Sequence, residues 1–301
     1  MEPKKQEPFI LISNHFNTWD SFVVMKYVKK NIRFVATEIA FLDWSKKIGM
    51  THLARAIKKR VGKHEIGAAK RIFTSLKQGY AIGLFPEGDN TFYGETLDIY
   101  QSTGKLIKRA NVDVILIKQR GGYISQPRWA DYFSKHGILH TNTKMLLTKE
   151  EINEFTIPQI NKLVEAAIYN NDYDYQKEQM YNFNRQKRAE GIERLVYYCN
   201  QCHDVLTVYG EGHNIKCTTC GTIGTINEYE FIEGNEFDNL VDYNHYQYAH
   251  IEQVTQSEFS FPITLNTVNT KKLKNKTRTQ KNKTKKQKRI KNKETKKNKK
   301  Q

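Results

Sequence analysis

Apolar and polar positions follow two alternating patterns over the first 120 residues. Short, mostly apolar segments predict strands at residues 9–13, 33–37, 80–85 and 113–118. Between these segments, the pattern predicts helices over residues 20–30, 41–48, 64–78 and 103–110, and Gly79 ends the third of them. Strands alternating with helices predict an α/β domain with a mostly parallel sheet flanked by helices. Sites in such sheets form at the carboxyl ends of strands, here at the turns of residues 14–20 and 86–94.

The pattern changes after residue 147. Thr148 and Glu151 have capping-box spacing, and apolar residues then recur at helical spacing, with Pro158 marking a break or a new helix start. A charged helix is predicted over residues 174–194. The chain thus divides into an α/β domain (1–147), a helical extension (148–194), a cysteine module (195–226), an acidic segment (227–270) and a disordered Lys-rich tail (271–301).

The net charge of +17 is concentrated at one end of the chain. Residues 271–301 contain 17 Lys or Arg and one acid, whereas residues 1–270 contain 32 basic and 31 acidic residues. The basic pI therefore does not indicate that the folded part binds nucleic acid. An apolar content of 38% is enough for a hydrophobic core. The sequence has neither a run of 18 apolar residues nor a signal-peptide pattern, so we expect it in the cytosolic compartment.

A histidine and an aspartate lie five residues apart in the first turn, Asn14-His15-Phe16-Asn17-Thr18-Trp19-Asp20. On a regular helix this spacing separates them by about 140°, so they can meet only if a turn precedes the helix. A carboxylate on one imidazole nitrogen would orient the ring and leave the other nitrogen free to take a proton from a hydroxyl. The alternative is that Asp20 is a helix N-cap and His15 an ordinary loop residue.

The second turn, Phe85-Pro86-Glu87-Gly88, either ends a strand or, because Gly88 lacks a side chain, lets the backbone approach a ligand closely. Asn-His-x4-Asp followed about seventy residues later by Phe-Pro-Glu-Gly resembles the glycerolipid acyltransferases, above all the 1-acylglycerol-3-phosphate acyltransferases. Gly49 and Arg55 are similar to the family's intermediate Gly-x5-Arg motif. Residues 92–96, 103–106, 121–123 and 127–129 resemble a bacterial branch that also carries two Cys-x2-Cys pairs.

This resemblance implies a glycerolipid acyltransferase fold and transfer of a fatty acyl group. The donor would be acyl-CoA or acyl carrier protein, and the acceptor the free hydroxyl of a lysophospholipid, foremost 1-acylglycerol 3-phosphate, giving phosphatidic acid. His15 would be the general base and Asp20 the residue that orients it. Arg55 would bind the acceptor phosphate. The residues implied to bind the acceptor or shape its site are Asn14, Arg55, Phe85, Pro86, Glu87, Gly88 and Asn90.

Two positions depart from the family pattern. The family usually has an arginine two residues after Gly88, where this chain has Asn90, and a proline where this chain has Asp113. Asn90 removes a phosphate-binding cation, which bears on the acceptor more than on the reaction. The candidate replacements are Lys105, Lys108 and Arg128.

Four cysteines form two Cys-x2-Cys pairs with 14 residues between them. Such pairs are typical of a tetrahedral zinc ribbon, here residues 195–226, whereas buried free thiols or a redox pair are the alternatives. Four thiolates leave no open metal position, so we expect a structural Zn²⁺ and surface positions for His203 and His213. Residues 217–270 contain eight acids and no Lys or Arg, which disfavours nucleic-acid binding. The expected ligands are Cys199, Cys202, Cys217 and Cys220.

The Lys-rich tail has three interpretations: a solvated disordered segment, attraction to anionic lipid headgroups, or nonspecific nucleic-acid binding. A lipid-modifying enzyme must stay at its substrate, which favours the second and a peripheral location on the cytoplasmic face of a membrane. The competing hypothesis is a zinc-ribbon and basic-tail protein that binds nucleic acid or membrane and whose acyltransferase-like domain is inactive. A CoA-dependent condensation or acetyl-transfer enzyme would show His-His-x3-Asp-Gly, which Asn14 and Ser21 do not match.

Overall fold

A six-stranded sheet forms the first part of the computed structural model, which describes residues 7–17, 19–28, 31–38, 56–59, 66–132 and 137–252. The sheet order is β3-β2-β4-β1-β5-β6. The first five strands are parallel to their neighbours, and β6 runs antiparallel to β5. The expected α/β fold with a mostly parallel sheet is confirmed. The strands are β1 (Ile10–Ser13), β2 (Ile32–Thr37), β3 (Ile57–Lys59), β4 (Ala81–Leu84), β5 (Val114–Arg120) and β6 (His140–Leu147).

Helices flank this sheet: α1 (Asp20–Tyr27), α2 (Ile66–Lys77) and α3 (Ser102–Ala110). The strand β1 lies between β4 and β5 and is buried along its whole length, which explains why it is apolar without alternation. In α2, Ile72 and Leu76 are buried at helical spacing, and Gly79 follows with a φ of 85° that favours glycine. The predicted end of this helix is confirmed.

The described residues between β5 and the cysteine module form the helices α4 (Gly122–Ser125), α5 (Lys149–Glu154), α6 (Ile157–Ile168) and α7 (Asp172–Gln179). The capping box is confirmed, since the Thr148 hydroxyl accepts the Glu151 N–H and the Glu151 carboxylate accepts the Thr148 N–H. A new helix begins at Ile157 with Pro158 in its first turn, where the absent N–H costs no helical hydrogen bond. The sequence therefore predicts where α5 and α6 begin.

The cysteine module is a second, antiparallel sheet in the order β10-β9-β8-β7, followed by helix α8 (Leu240–Ala249). The strand β10 and the helix α8 lie in the predicted acidic segment, so the fold of the module continues beyond residue 226. Its buried residues share one apolar cluster with Phe16 and Tyr123 of the first part. The four strands are β7 (Val208–Glu211), β8 (Asn214–Cys217), β9 (Gly221–Ile226) and β10 (Ile232–Glu233).

Some sequence predictions were wrong or incomplete. The charged helix expected over residues 174–194 ends at Gln179, because Met180 has a left-handed φ of 49°. The edge strand β6 was not predicted, since it is mostly exposed and carries no apolar run. The predicted helix at 41–48, the Gly49 and Arg55 motif and the tail at 271–301 lie outside the described residues. Among the described helices, none has the length and apolar character needed to cross a bilayer.

Candidate active site

Two loops meet where the neighbouring strands β1 and β4 end. Ile12 pairs with Leu84, so the segments that follow leave the same edge of the sheet side by side. The N–H of Thr91 donates to the carbonyl oxygen of His15 at 2.9 Å. The two turns selected from the sequence are thus in direct contact.

His15 and Asp20 form a hydrogen-bonded pair across the turn before α1. The Nδ1 atom of His15 lies 2.8 Å from Oδ2 of Asp20, and the same oxygen accepts the N–H groups of Phe16 and Asn17 at 2.8 and 3.0 Å. Trp19, not Asp20, occupies the N-cap position. Burial raises the pKa of the Asp20 carboxyl above its ordinary value, against the lowering effect of these hydrogen bonds.

The ring of His15 is held in one orientation and remains accessible. It stacks on Phe85 with 4.2 Å between ring centroids, and Phe85 in turn stacks on the buried Phe34. Since Nδ1 bonds Asp20, Nε2 is the ring nitrogen left for a substrate hydroxyl, and the side chain is 18% exposed. An imidazole held in this way can accept a proton through Nε2 while the carboxylate stabilises the resulting charge.

Glu87 joins the two loops through its carboxylate. One oxygen accepts the His15 N–H at 2.7 Å, and the other accepts the Leu97 N–H at 2.8 Å. Burial raises the pKa of Glu87 to about 8, although these two hydrogen bonds lower it. The side chain is 6% exposed, so its contacts here are with the main chain of the site, and its binding of an acceptor stays a prediction.

The turn after β4 is fixed by close contacts. Gly88 has a φ of 78°, and a Cβ atom there would lie 2.1 Å from the Tyr100 ring. The Tyr100 N–H donates to the carbonyl oxygen of Pro86 at 3.0 Å. Gly88 is therefore required by the conformation and packing of the turn, and its approach to a ligand remains a prediction.

Asn14 is bound to the neighbouring strand. Its Nδ2 donates to the carbonyl oxygen of Gln119 and its Oδ1 accepts the Gln119 N–H, both at 2.8 Å. It is 4% exposed. Its side chain thus fixes the loop between β1 and α1, which supports a role in shaping the site.

The three residues that could replace a phosphate-binding cation at position 90 lie in different surroundings. Lys108 donates to the carbonyl oxygens of residues 152, 153 and 155, so it holds α3 against the end of α5. Lys105 is exposed on α3. Arg128 donates to the carbonyl oxygen of Asn90 at 3.0 Å and thus lies at the loop itself. Arg55 lies outside the described residues.

Sequence reasoning missed the residues that support the loop from behind. A Cβ atom on Gly122 would lie 2.0 Å from the Phe16 ring, so glycine permits this contact. The buried Asp172 accepts the N–H groups of Gly121 and Tyr123 and thereby fixes the helix α4. In the sequence, the adjacent glycines 121 and 122 could have indicated a close packing contact. Asp172 lies in a polar helix with no pattern that marks it as a buried supporting residue.

The four cysteines come together as the spacing predicts. Their Sγ atoms all lie within 4.8 Å of one another, with Cys202 to Cys217 at 3.6 Å and Cys199 to Cys220 at 4.0 Å. Four sulfurs at about 2.3 Å from a tetrahedral metal ion would lie about 3.8 Å apart, so the cluster fits such an ion. His203 and His213 are exposed and lie outside this group of ligands.

Comparison with known proteins found one family match and similar solved structures. Residues 2–118 match the model of the Acyltransferase family. No curated protein matches the chain. Among solved structures, the chain is similar to the 1-acyl-sn-glycerophosphate (LPA) acyltransferase PlsC from Thermotoga maritima, with 18% identity, 60% of this chain and 69% of that chain covered, and a TM-score of 0.47.

Proposed function

We propose that this chain, whose residues 2–118 match the Acyltransferase family model, is a lysophospholipid acyltransferase. It moves a fatty acyl group from acyl-CoA or acyl carrier protein to the free hydroxyl of 1-acylglycerol 3-phosphate, giving phosphatidic acid. The observation that carries the proposal is the 2.8 Å contact of His15 Nδ1 with the buried Asp20, which leaves Nε2 for the substrate.

The reaction follows from this pair of residues. Nε2 of His15 takes the proton of the acceptor hydroxyl while the oxygen attacks the thioester carbonyl carbon. The carbon–sulfur bond then breaks, and the thiolate that leaves takes up the proton from the imidazolium ring. No covalent enzyme intermediate forms, so catalysis consists of proton transfer and positioning.

We assign a structural Zn²⁺ to Cys199, Cys202, Cys217 and Cys220. The Sγ distances suit a tetrahedral ion, and four protein ligands leave no position for a substrate or water. The ion would stabilise the module without taking part in the acyl transfer.

The lipid substrate requires contact with a membrane surface. The tail carries 17 of the 49 basic residues of the chain, and basic residues near an anionic bilayer contribute about 1 kcal/mol each. Trp19, next to the candidate catalytic turn, is 58% exposed, and tryptophan favours the membrane interface. We therefore place the protein on the cytoplasmic face of a membrane, bound peripherally.

Incubation of the purified full-length protein with labelled acyl-CoA or acyl carrier protein and a panel of lysophospholipids tests the proposal. We expect labelled phosphatidic acid from 1-acylglycerol 3-phosphate. The nucleic-acid-binding hypothesis would be supported instead if no combination of donor and acceptor gave a product and the protein bound DNA or RNA in a salt-sensitive way.

A further inference from the structure

Arg128 lies in a turn of the chain next to the buried Trp129, and its side chain reaches the loop that contains Asn90. The neighbouring Trp129 is 3% exposed, and its Nε1 donates to the hydroxyl of Tyr123 at 3.0 Å. The Arg128 guanidinium lies 3.9 Å from the centre of the Phe92 ring, a cation–π distance. Its position is therefore fixed by contacts on two sides and does not depend on a flexible side chain alone.

A single peptide group separates this guanidinium from His15. Arg128 Nη1 donates to the carbonyl oxygen of Asn90, and the N–H of the same peptide group, on Thr91, donates to the carbonyl oxygen of His15. These hydrogen bonds are 3.0 and 2.9 Å long. The guanidinium is thus linked through one peptide group to the main chain of the residue proposed as the general base.

The guanidinium has capacity for a further anion. Nε and Nη2 have no partner among the described residues, and the side chain is 35% exposed. In the described part of the chain, Asp89 is the carboxylate that lies within 4.0 Å of it, with Oδ1 at 3.4 Å from Nη1, and the Asp89 side chain is 60% exposed. This distance leaves a weak ion pair that a stronger anion can displace.

We propose that Arg128 binds the phosphate monoester of the acceptor and that Asp89 makes this binding selective. The inference rests on the proposed acyl transfer. The planar guanidinium forms paired hydrogen bonds with phosphate oxygens. Because the Asp89 carboxylate occupies the same cation, a doubly charged monoester displaces it more readily than a singly charged phosphodiester. Arg128 is thus a binding residue, and Asp89 determines specificity.

The test compares kcat/KM for three acceptors with the same acyl chain: 1-acylglycerol 3-phosphate, a lysophosphatidylglycerol and monoacylglycerol. In Arg128→Gln, the preference for the phosphate monoester over monoacylglycerol should fall by about 10-fold or more, as expected for a lost charge-assisted hydrogen bond. Arg128→Lys should lose part of this preference, because it keeps the charge without the fork. Asp89→Asn should lower the preference for monoester over diester by several-fold.

The matched control is Arg109→Gln, which removes an arginine of α3 that packs over the ring of Phe73 on α2. Its acceptor preferences should equal those of the parent enzyme. Thermal unfolding of each variant identifies a folding defect, and Arg128→Lys provides the comparison if Arg128→Gln does not fold. An active parent whose preference is unchanged by Arg128→Gln or Arg128→Lys overturns this inference alone. A parent inactive with every acceptor refutes the proposed function and the inference with it.

Discussion

At the scale of single residues, the position of the His15 main chain depends on Glu87. Its two carboxylate oxygens accept one N–H from each loop, and the side chain is almost fully buried. This arrangement differs from a substrate ligand, which would expose an oxygen to the cleft. The carboxylate thus sets the distance between the two loops that carry the candidate site.

We predict that Glu87→Gln lowers kcat about 10-fold or more while KM for the acceptor changes little. The amide can accept only one of the two N–H groups, so a buried donor is left unpaired and the His15 loop shifts. Steady-state kinetics measure both parameters. A variant that raises KM with an unchanged kcat would instead assign Glu87 to acceptor binding.

At the scale of elements, the helix α4 supports the candidate catalytic turn through a contact between Gly122 and Phe16. The absence of a side chain at Gly122 lets the aromatic ring approach the helix, and Asp172 fixes the helix by accepting the N–H groups of Tyr123 and of the N-cap residue Gly121. The neighbour of His15 is therefore positioned by residues more than 100 positions away in the sequence.

We predict that Gly122→Ala lowers the free energy of unfolding by about 1–3 kcal/mol and reduces acyl transfer, because the added methyl group displaces Phe16. Denaturant unfolding and turnover measure the two effects. Gly67→Ala on α2 is the matched control, since its Cβ would meet its nearest neighbour at 3.6 Å and alanine favours helix. Equal effects of the two substitutions would show that the Phe16 contact is unimportant.

The elements that could be predicted are those with an uninterrupted pattern. β1 is apolar along its length and α2 has apolar residues on one face, so both were found with small boundary errors. Among the described strands, the exposed edge strand β6 pairs with β5 alone and needs no apolar run, so no local pattern indicates it. The turn alone left the contact of His15 with Asp20 as one of two alternatives, and the family resemblance implied it. The role of Asp172 depends on long-range packing that no local pattern records.

At the scale of the whole molecule, the cysteine module and the first domain share an apolar cluster. Phe16 belongs to the same cluster as Cys199 and Cys217. Tyr93, in the loop after β4, donates to the carbonyl oxygen of Leu195 and accepts from Gln247 of α8. The module is thus in a position to stabilise the candidate active site.

We predict one zinc ion per chain, whose removal by a chelator unfolds about residues 195–225 and lowers the rate of acyl transfer. A structural Cys₄ site contributes its binding free energy to folding. Because Phe16 belongs to the same apolar cluster as Cys199 and Cys217, unfolding of the module should also disturb the packing of Phe16. Metal analysis, hydrogen exchange and turnover measure these effects, and added Zn²⁺ should reverse them. Four thiols that titrate freely in native, zinc-free protein would contradict the assignment.

The charge distribution makes a prediction about membrane binding. Deletion of residues 271–301 should weaken binding to anionic vesicles, because the remaining 270 residues have 32 basic and 31 acidic residues. This attraction should fall steeply as salt rises through about 0.1 M, whereas turnover on detergent-dispersed substrate should not change. Co-sedimentation with anionic and neutral vesicles tests it. Equal binding of both forms would assign the anchoring to exposed apolar residues such as Trp19.

The central claim is that His15 is the general base of an acyl transfer, and the most direct test compares the turnover of the parent, His15→Ala and Asp20→Asn. We expect His15→Ala to lose a factor on the order of 10²–10⁴ in rate with unchanged fold and zinc content. Asp20→Asn should lose less, because one oxygen of Asp20 accepts all three hydrogen bonds and an amide oxygen can replace it. Near-parental turnover of His15→Ala, in an assay where the parent is active, would contradict the mechanism.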